Sequence, residues 1–471
     1  MPSNTCPKHS LIDSRHYLRR SIIFLLALLA CCYLSEVIFS RDLLQTSNAL
    51  IALLFCLICS GTIYKRIKYS KLYLWCPLTW FLTMATIQFG IGSLIYQFGS
   101  NEAIYHLNQI FTLNDHDLLR VHQLNIVTTL IIVSSYSLFS KKRKQLYKHN
   151  YIFDEKYSLL IFKIFTLISI PTIIIKFYYS EIEIIQYEQI SILAISALII
   201  SFHLFAFDKK KYLPHLSMTL TILLIISITS FAKNYFMQIF LFATLSYFQI
   251  TRRISYKQVS ACILLLVSLF IWYQPISEVG RLSEGFNQQS PWEKILITYN
   301  LINAQPTTAQ NSGELSTRDK IWSRQSLSPV QGLLIYYYNN GFKGTSLEAP
   351  WIHFIPRLLW PDKPITTDVA RDFNERVFGT RTSSLAPSFN ADAYWNGGWP
   401  LVFATIIFIG CLFAVLSHFS ISRITIGDFR ALPIIIWGVN LGRFVESFFA
   451  PTFLGGSVIM IAWWLLLKAI I

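Results

Sequence analysis

Residues 258–275 read QVSACILLLVSLFIWYQP and residues 276–294 read ISEVGRLSEGFNQQSPWEK, and the change between them decides the fold. The first stretch is an apolar run of the length that crosses a bilayer as a helix. The second opens a polar stretch that continues to residue 398, whereas the other gaps between apolar runs are short. The sequence therefore predicts a bundle of membrane helices that is interrupted once by a large polar loop.

The composition of the whole chain agrees with that interpretation. Of 471 residues, 53% are hydrophobic and 14% are charged, whereas soluble domains average about 25% charged residues. We predict an all-α polytopic membrane protein with twelve spans. The predicted spans are 21–39, 46–63, 73–97, 119–139, 157–178, 188–207, 214–231, 235–250, 258–275, 399–417, 432–449 and 452–469.

The orientation follows from the basic residues, which cluster in alternate loops such as 65–71, 141–144 and 209–211. Short loops rich in Lys and Arg stay in the cytoplasm. With twelve spans, both termini are cytoplasmic and the large loop is periplasmic. The net charge of +15 is thus a topology signal and a contact with anionic lipid. It does not indicate nucleic-acid binding, because no basic stripe lies on a soluble domain.

Four regions follow from this topology. They are a cytoplasmic tail (1–20), transmembrane helices 1–9 (21–275), the periplasmic loop (276–398) and transmembrane helices 10–12 (399–471). The loop holds eleven basic and eleven acidic residues, so it is neutral overall. We expect it to be mostly helical and folded over the outer face of the bundle.

Three loop segments have a helical pattern. SPVQGLLIYYYNN (328–340) predicts a short amphipathic helix with a proline in its first turn. Residues 351–360 place aromatic and aliphatic side chains at helical spacing, which predicts a helix at the membrane interface. On that helix, His353 and Arg357 are four residues apart and share one face. Residues 365–381 predict a charged helix.

Basic side chains near the loop are the candidate binding groups. An arginine fork holds phosphate oxygens with two hydrogen bonds and keeps its charge, which selects Arg281, Arg324 and Arg357. Lys233 lies in the tight turn before span eight. Arg443 lies near the outer end of span eleven, where charged residues are costly and usually functional. The alternative is an ion pair with Glu446, which is three residues later and so on the same helical face. Arg371 and Arg376 have acidic neighbours at helical spacing, so surface ion pairs explain these two arginines better.

Two groups could handle a proton. His353 could act as a general base or as a neutral hydrogen-bond donor, and Asp392 is the external carboxylate closest to span ten. The loop has no cysteine, one histidine and no paired carboxylates of the DxD type. A divalent cation needs converging ligands of those kinds, so we expect neither a metal nor a cofactor.

Three short runs resemble a known family. Phe354-Ile-Pro-Arg-Leu-Leu-Trp-Pro-Asp-Lys-Pro364 resembles a signature in the large external loop of bacterial O-antigen and exopolysaccharide repeat-unit polymerases of the Wzy type. Ala391-Asp-Ala-Tyr-Trp-Asn-Gly-Gly398 resembles the run that follows it in that family. Thr229-Ser-Phe-Ala-Lys233 resembles a turn that more often ends in arginine. Together these runs cover 24 residues.

The resemblance implies a metal-independent, C-type-like glycosyltransferase of the bacterial inner membrane. It would join undecaprenyl-pyrophosphate-linked oligosaccharide units at the periplasmic face, without a nucleotide sugar. In that interpretation Arg281, Arg324, Arg357, Lys233 and Arg443 hold pyrophosphate. His353 or Asp392 orients or deprotonates the acceptor hydroxyl, and Trp351, Trp360, Tyr394 and Trp395 stack on sugars or anchor the loop.

The expected partners are the lipid-linked oligosaccharide, membrane lipids and a chain-length regulator protein. Two alternatives stay open at this point. An O-antigen ligase would use the same donor with a lipid A-core acceptor. A flippase would carry charges along a central cavity at mid-membrane depth, whereas the charges here cluster near the outer ends of the spans.

The twelve-span topology predicts where reporter fusions are active. Fusions at Lys142, Lys210 and Arg253 should report the cytoplasm, because their loops are strongly basic. Fusions at Ser316 and Thr366 should report the periplasm. A cytoplasmic signal at Ser316 would contradict both the topology and the assignment of the loop as the site.

Overall fold

A computed structural model shows the fold of the chain. It describes residues 12–38, 41–140, 154–178, 187–229, 233–251, 256–282, 322–355, 366–381 and 386–455, with single positions at 293, 296, 299, 300 and 360 and between 457 and 468. Helices dominate these residues, and the pairing between strands is limited to one isolated bridge, Ser388 with Glu446.

Fourteen helices are used below, numbered along the chain. They are α1 (Ile12–Ile38), α2 (Arg41–Tyr69), α3 (Pro77–Phe98), α4 (Asn101–Ile110), α5 (Asp115–Phe139), α6 (Glu155–Tyr178), α7 (Tyr187–Phe207), α8 (Lys209–Thr229), α9 (Lys233–Ile250), α10 (Tyr256–Leu282), α11 (Ser328–Asn339), α12 (Thr366–Phe378), α13 (Phe389–Ile426) and α14 (Leu432–Arg443).

Within the described residues, six helices are long and apolar enough to cross a membrane, namely α1, α2, α3, α5, α10 and α13. Many of their large apolar side chains are exposed, including Phe24, Leu57 and Leu264. Such surfaces suit lipid better than water. The chain is therefore an all-α membrane protein, as the sequence predicts, while the count of twelve spans and the side of the large loop stay predictions.

Most predicted spans up to span ten fall within single helices, but span three (73–97) begins in a short 3-10 helix, Lys71–Trp75, and Cys76 is extended before α3 begins at Pro77. The last two spans also differ. Span eleven was expected to reach residue 449, but α14 ends at Arg443. A short π-helix, Ala450–Gly455, begins the region of span twelve. The hydrophobic pattern continues through both regions, so hydrophobicity alone misplaces the end of α14.

The chain divides into two compact units. The first unit contains Met1–Asn150, Arg318–Ile426 and Trp437–Ile471. In it, α1 packs against α2 and α5, and α5 lies along α13. Local signals set its helix starts, since the Asn114 side chain accepts a hydrogen bond from the Asp117 N–H and caps α5.

Helix α11 lies inside the first unit and does not rest on its surface. The residues from Ser328 to Ile335 are all buried, on every face of the helix. It packs against α5 and α13, and the Ser328 hydroxyl lies 3.0 Å from that of Ser93. The helix itself confirms the prediction for 328–340, but its expected polar face is buried as well.

A network of buried side chains explains how a polar face can be buried there. The Gln331 amide exchanges hydrogen bonds of 2.9 and 3.0 Å with Asn125 and donates to the Ser388 hydroxyl at 2.7 Å. The Asn390 amide donates to Asn125 at 2.9 Å and to Thr128 at 3.1 Å. Because these groups satisfy one another, burial costs little, and α11 is tied to α5 and α13.

The second unit contains Tyr151–Thr317 and Gly427–Ile436. Here α7 packs against α6, α8 and α9, and α9 packs against α10. The rings of Phe236 and Tyr273 stack at 4.2 Å between centroids, and the Tyr273 hydroxyl donates to the Ser227 carbonyl at 2.8 Å. At the predicted cytoplasmic end, Lys211 pairs with Glu155.

A kink divides α13 into two helical pieces at Gly397 and Gly398. Gly398 has a φ of +61°, and a Cβ there would lie 2.6 Å from the Tyr338 hydroxyl. Only glycine tolerates both constraints. The kink separates the first turns of α13, which carry Asp392, from the apolar part that the sequence predicts as span ten.

Candidate functional site

The segment from Arg443 to Gly455 is the centre of the candidate site. Its chain leaves α14 at Arg443 and turns, so Val445 approaches α13 and accepts a hydrogen bond from the Phe389 N–H at 3.2 Å. Glu446 forms the isolated bridge with Ser388. Arg443 and Glu446 were expected on one face of a helix, and that expectation is wrong because the helix ends between them.

Arg443 and Glu446 differ from their neighbours in exposure. Val445 and Ser447 are buried, whereas the Glu446 side chain is exposed and Arg443 is partly exposed. One guanidinium nitrogen of Arg443 donates to the Asn440 side-chain oxygen at 3.1 Å. The segment therefore presents a cation and a carboxylate from an otherwise apolar stretch.

Asp392, which lies on α13, binds this segment through a hydrogen bond. Its carboxyl group is fully buried and accepts a hydrogen bond from the Phe449 N–H at 3.0 Å. It also accepts from the Ser346 hydroxyl and from the Asn396 amide. Three donors thus surround the group that the sequence selects as a possible base. These bonds connect α13, the loop after α11 and the segment from Arg443 to Gly455.

The loop after α11 is fastened to the same turns of α13. The Gly344 N–H donates to the Trp395 carbonyl at 3.1 Å, and the Trp395 indole N–H donates to the Phe342 carbonyl at 2.9 Å. The Leu347 N–H donates to the Asn396 side chain at 3.1 Å. Trp395 is buried, so it anchors the loop, while Trp351 and Trp360 are more exposed.

His353 lies in a short 3-10 helix, Pro350–Phe354, that packs against the π-helix Ala450–Gly455. The predicted helix over 351–360 does not continue, because Ile355 is extended, with φ −78° and ψ 122°. The residue before a proline avoids helical backbone, and Pro356 follows it. The continuous helix that would place His353 and Arg357 on one face is therefore interrupted at Ile355, and Arg357 itself lies outside the described residues.

The remaining predicted cations have separate positions. Arg324 is exposed, lies in the first unit and acts electrostatically on Glu446. Lys233 is half-buried at the first residue of α9, in the second unit. Arg281 belongs to the last turn of α10, and its side chain lies outside the described residues.

The charged helix predicted over 365–381 is confirmed as α12. Arg371 lies 3.7 Å from Asp368. Arg381 pairs with Asp372 at 2.7 Å and with Glu375 at 2.8 Å. These side chains are largely exposed, as expected for surface ion pairs, which stabilise a fold only slightly.

Arg120 is a cation that the sequence analysis did not select. It lies on α5, is exposed, and acts electrostatically on Tyr394 of α13. Two sequence signals could have identified it. It is a charge inside a predicted span, and it lies near a helix N-terminus, where the helix dipole disfavours a cation.

The arrangement joins residues that are far apart in the sequence. Arg443 and Glu446 lie on one segment, Asp392 binds it, His353 packs at its end and Arg324 acts on it. A guanidinium group can hold an anionic group, and a carboxylate or an imidazole can accept a proton, so the segment carries or contacts both kinds of group.

No protein-family model, no curated protein and no solved structure matches this chain. The functional argument therefore rests on the chain's own residues.

Removing the Asp392 carboxylate should release the loop that it holds. In Asp392→Ala, each buried donor left without a partner costs about 1–3 kcal/mol, so the open population of residues 342–347 should rise about tenfold. Lys343 is exposed and is a trypsin site, so cleavage after it measures that opening in the purified protein. Asp372→Ala, which removes an exposed carboxylate of α12, is the matched control. Equal cleavage rates in the two variants would show that the Asp392 carboxylate does not hold this loop in place.

Proposed function

We propose that this protein is a polysaccharide polymerase that joins lipid-pyrophosphate-linked oligosaccharide units at the periplasmic face of a bacterial inner membrane. The observation that carries the proposal is that Arg443 and Glu446 lie on one segment, which Asp392 binds and His353 contacts, while Arg324 acts electrostatically on Glu446. The proposal includes twelve spans, both termini in the cytoplasm, and a periplasmic loop at 276–398.

The reaction needs a cationic site because its leaving group is a pyrophosphate. The acceptor hydroxyl oxygen of one unit attacks the anomeric carbon of the growing chain, and the bond from that carbon to the phosphate oxygen breaks. The electron pair leaves with undecaprenyl pyrophosphate, whose charge Arg443 and Arg324 offset. Arg281, Arg357 and Lys233 are proposed to add to this charge, as the resemblance implies.

The acceptor proton needs a base. Asp392 is less suited than the sequence suggested, because its carboxyl group already accepts three hydrogen bonds. We assign it a positioning role. His353 and Glu446 are the two candidates for the base. The pH–rate profiles of His353→Gln and Glu446→Gln separate them, because the loss of activity at low pH reports protonation of the base. The variant that lacks the true base loses this low-pH dependence, and the other variant keeps it.

A reconstituted assay tests the proposal directly. Purified protein and the lipid-linked repeat unit are mixed without nucleotide, and the products are resolved on a gel. We expect a ladder of chain lengths, at an unchanged rate in excess EDTA, because arginine and lysine would neutralise the pyrophosphate. Loss of activity in EDTA, restored by Mg²⁺ or Mn²⁺, would show that the mechanism is wrong.

The same assay and a gene deletion separate the alternatives. A ligase would transfer glycan to a lipid A-core acceptor without lengthening it, and a flippase would give no product. In cells, deletion of a polymerase leaves single repeat units on lipid A. Deletion of a ligase or flippase leaves no surface glycan.

Replacing an arginine of the site by lysine keeps the charge and removes the fork. Each charge-assisted hydrogen bond lost is worth roughly 1.5–3 kcal/mol, or about ten- to a hundredfold in rate. We therefore expect Arg443→Lys and Arg357→Lys to lose most polymerisation activity at normal expression. Arg371→Lys, in a surface ion pair of α12, is the control and should keep full activity. Normal ladders from Arg443→Lys would remove this residue from the mechanism.

A further inference from the structure

A groove between α1 and α2 forms a second possible binding site, independent of the proposed reaction. It has a volume of about 390 Å³, which lies within the usual range for ligand pockets. Its walls include Phe24, Leu28, Leu54 and Leu57, and its lining is mostly apolar. The candidate site described above contributes no residue to it.

Small residues create the space in this groove. Ala27, Cys31 and Gly61 all belong to its lining. A Cβ added at Gly61 would meet no atom within 4 Å, so the backbone of α2 is open to the groove at this position.

Two basic side chains mark one end of the groove. Arg20 and Lys65 belong to its lining, both are exposed, and the lining contains no acidic residue. The nearby hydroxyls of Ser21 and Thr62 bond each other at 2.6 Å. Backbone carbonyls of their own helices, those of Tyr17 and Ile58, lie within hydrogen-bond distance as well, so the two hydroxyl protons have acceptors within the protein and need no ligand. The groove therefore has a cationic end and an apolar body.

The length of the groove suits one leaflet of a membrane. From Arg20 to Cys31 the axis of α1 rises by about 16 Å, at about 1.5 Å per residue. The hydrocarbon core of a bilayer is about 30 Å thick, so the groove covers about half of it. Phe24 and Leu57 are exposed and would border a lipid chain from both sides.

We infer that this groove binds an anionic phospholipid, with an acyl chain between α1 and α2 and the phosphate group between Arg20 and Lys65. Charge complementarity selects an anionic headgroup, and the apolar body selects a lipid over a soluble phosphate. The positive-inside pattern places this lipid in the cytoplasmic leaflet, away from the proposed periplasmic chemistry.

Native mass spectrometry of the purified full chain tests the inference. Phosphatidylglycerol is titrated into the protein, with phosphatidylcholine and glycerol 3-phosphate as comparison ligands. We expect discrete adducts with phosphatidylglycerol, weaker adducts with phosphatidylcholine, and none with glycerol 3-phosphate. Equal adducts with the two lipids would overturn the inference, because they would indicate unselective annular lipid.

Two variants act on separate halves of the groove. Gly61→Leu adds a side chain in the apolar body at a position where the Cβ meets no atom within 4 Å, and leucine is a better helix former than glycine. Arg20→Gln with Lys65→Gln removes the cationic end. Each should weaken phosphatidylglycerol binding about tenfold or more, since each basic residue contributes measurably to headgroup attraction.

The matched control is Arg19→Gln with Lys68→Gln, which removes the same charge from exposed neighbours outside the lining. It should leave binding almost unchanged. If it weakens binding as much as the groove variant, a diffuse surface charge is responsible and the inference fails. If Gly61→Leu changes the oligomeric mass of the protein and not lipid binding, the groove is an interface between copies of the chain, and the inference also fails.

Discussion

The buried network of Asn125, Gln331 and Asn390 is the interaction on which the candidate site depends. It joins α5, α11 and α13 through side chains that are almost fully buried. Buried amides are tolerated only when they are satisfied, and a satisfied network permits one geometry among its elements. The network therefore fixes the start of α13, and Asp392 lies two residues after Asn390 on that start.

Asp392 connects the fixed start of α13 to the segment from Arg443 to Gly455, which carries the candidate site. Its carboxyl group receives hydrogen bonds from Ser346, Asn396 and the backbone of Phe449. A segment that has left its helix would otherwise have backbone groups without partners, which is costly within a membrane. The carboxyl group satisfies one of them and sets the path of the chain past Glu446. In the proposed reaction such support would favour catalysis, because charged groups whose positions are fixed before binding need no reorganisation during the reaction.

The sequence predicted the parts of the fold that depend on local pattern. Long apolar runs gave the helices up to α13, and alternating charge gave the surface helix α12. The preference of Ile355 for an extended backbone was also readable, because Pro356 follows it, yet helical spacing of the aromatic residues outweighed that signal. For 328–340 the helix was predicted correctly, but the exposure of its polar face was not. The amphipathic pattern predicted a polar face in solvent, whereas Gln331 is buried and bonds to side chains of α5 and of the residues around the start of α13. Such partners are not visible in the local sequence.

The candidate site was predictable as a set of residue types and not as an arrangement. Arg443, His353 and Asp392 could be selected because charge is costly near membrane spans, and the structure places all three at one segment. Their roles depend on contacts between residues far apart in the chain. Asp392 meets Phe449 across 57 positions, and nothing in the local sequence indicates that its oxygens are already occupied. Glu446, expected to neutralise Arg443 on a shared helical face, lies beyond the helix end, so the turn separates the two residues along the segment. The end of α14 at Arg443 therefore sets the positions of both charged residues, and it organises the candidate site together with the loop that Asp392 holds.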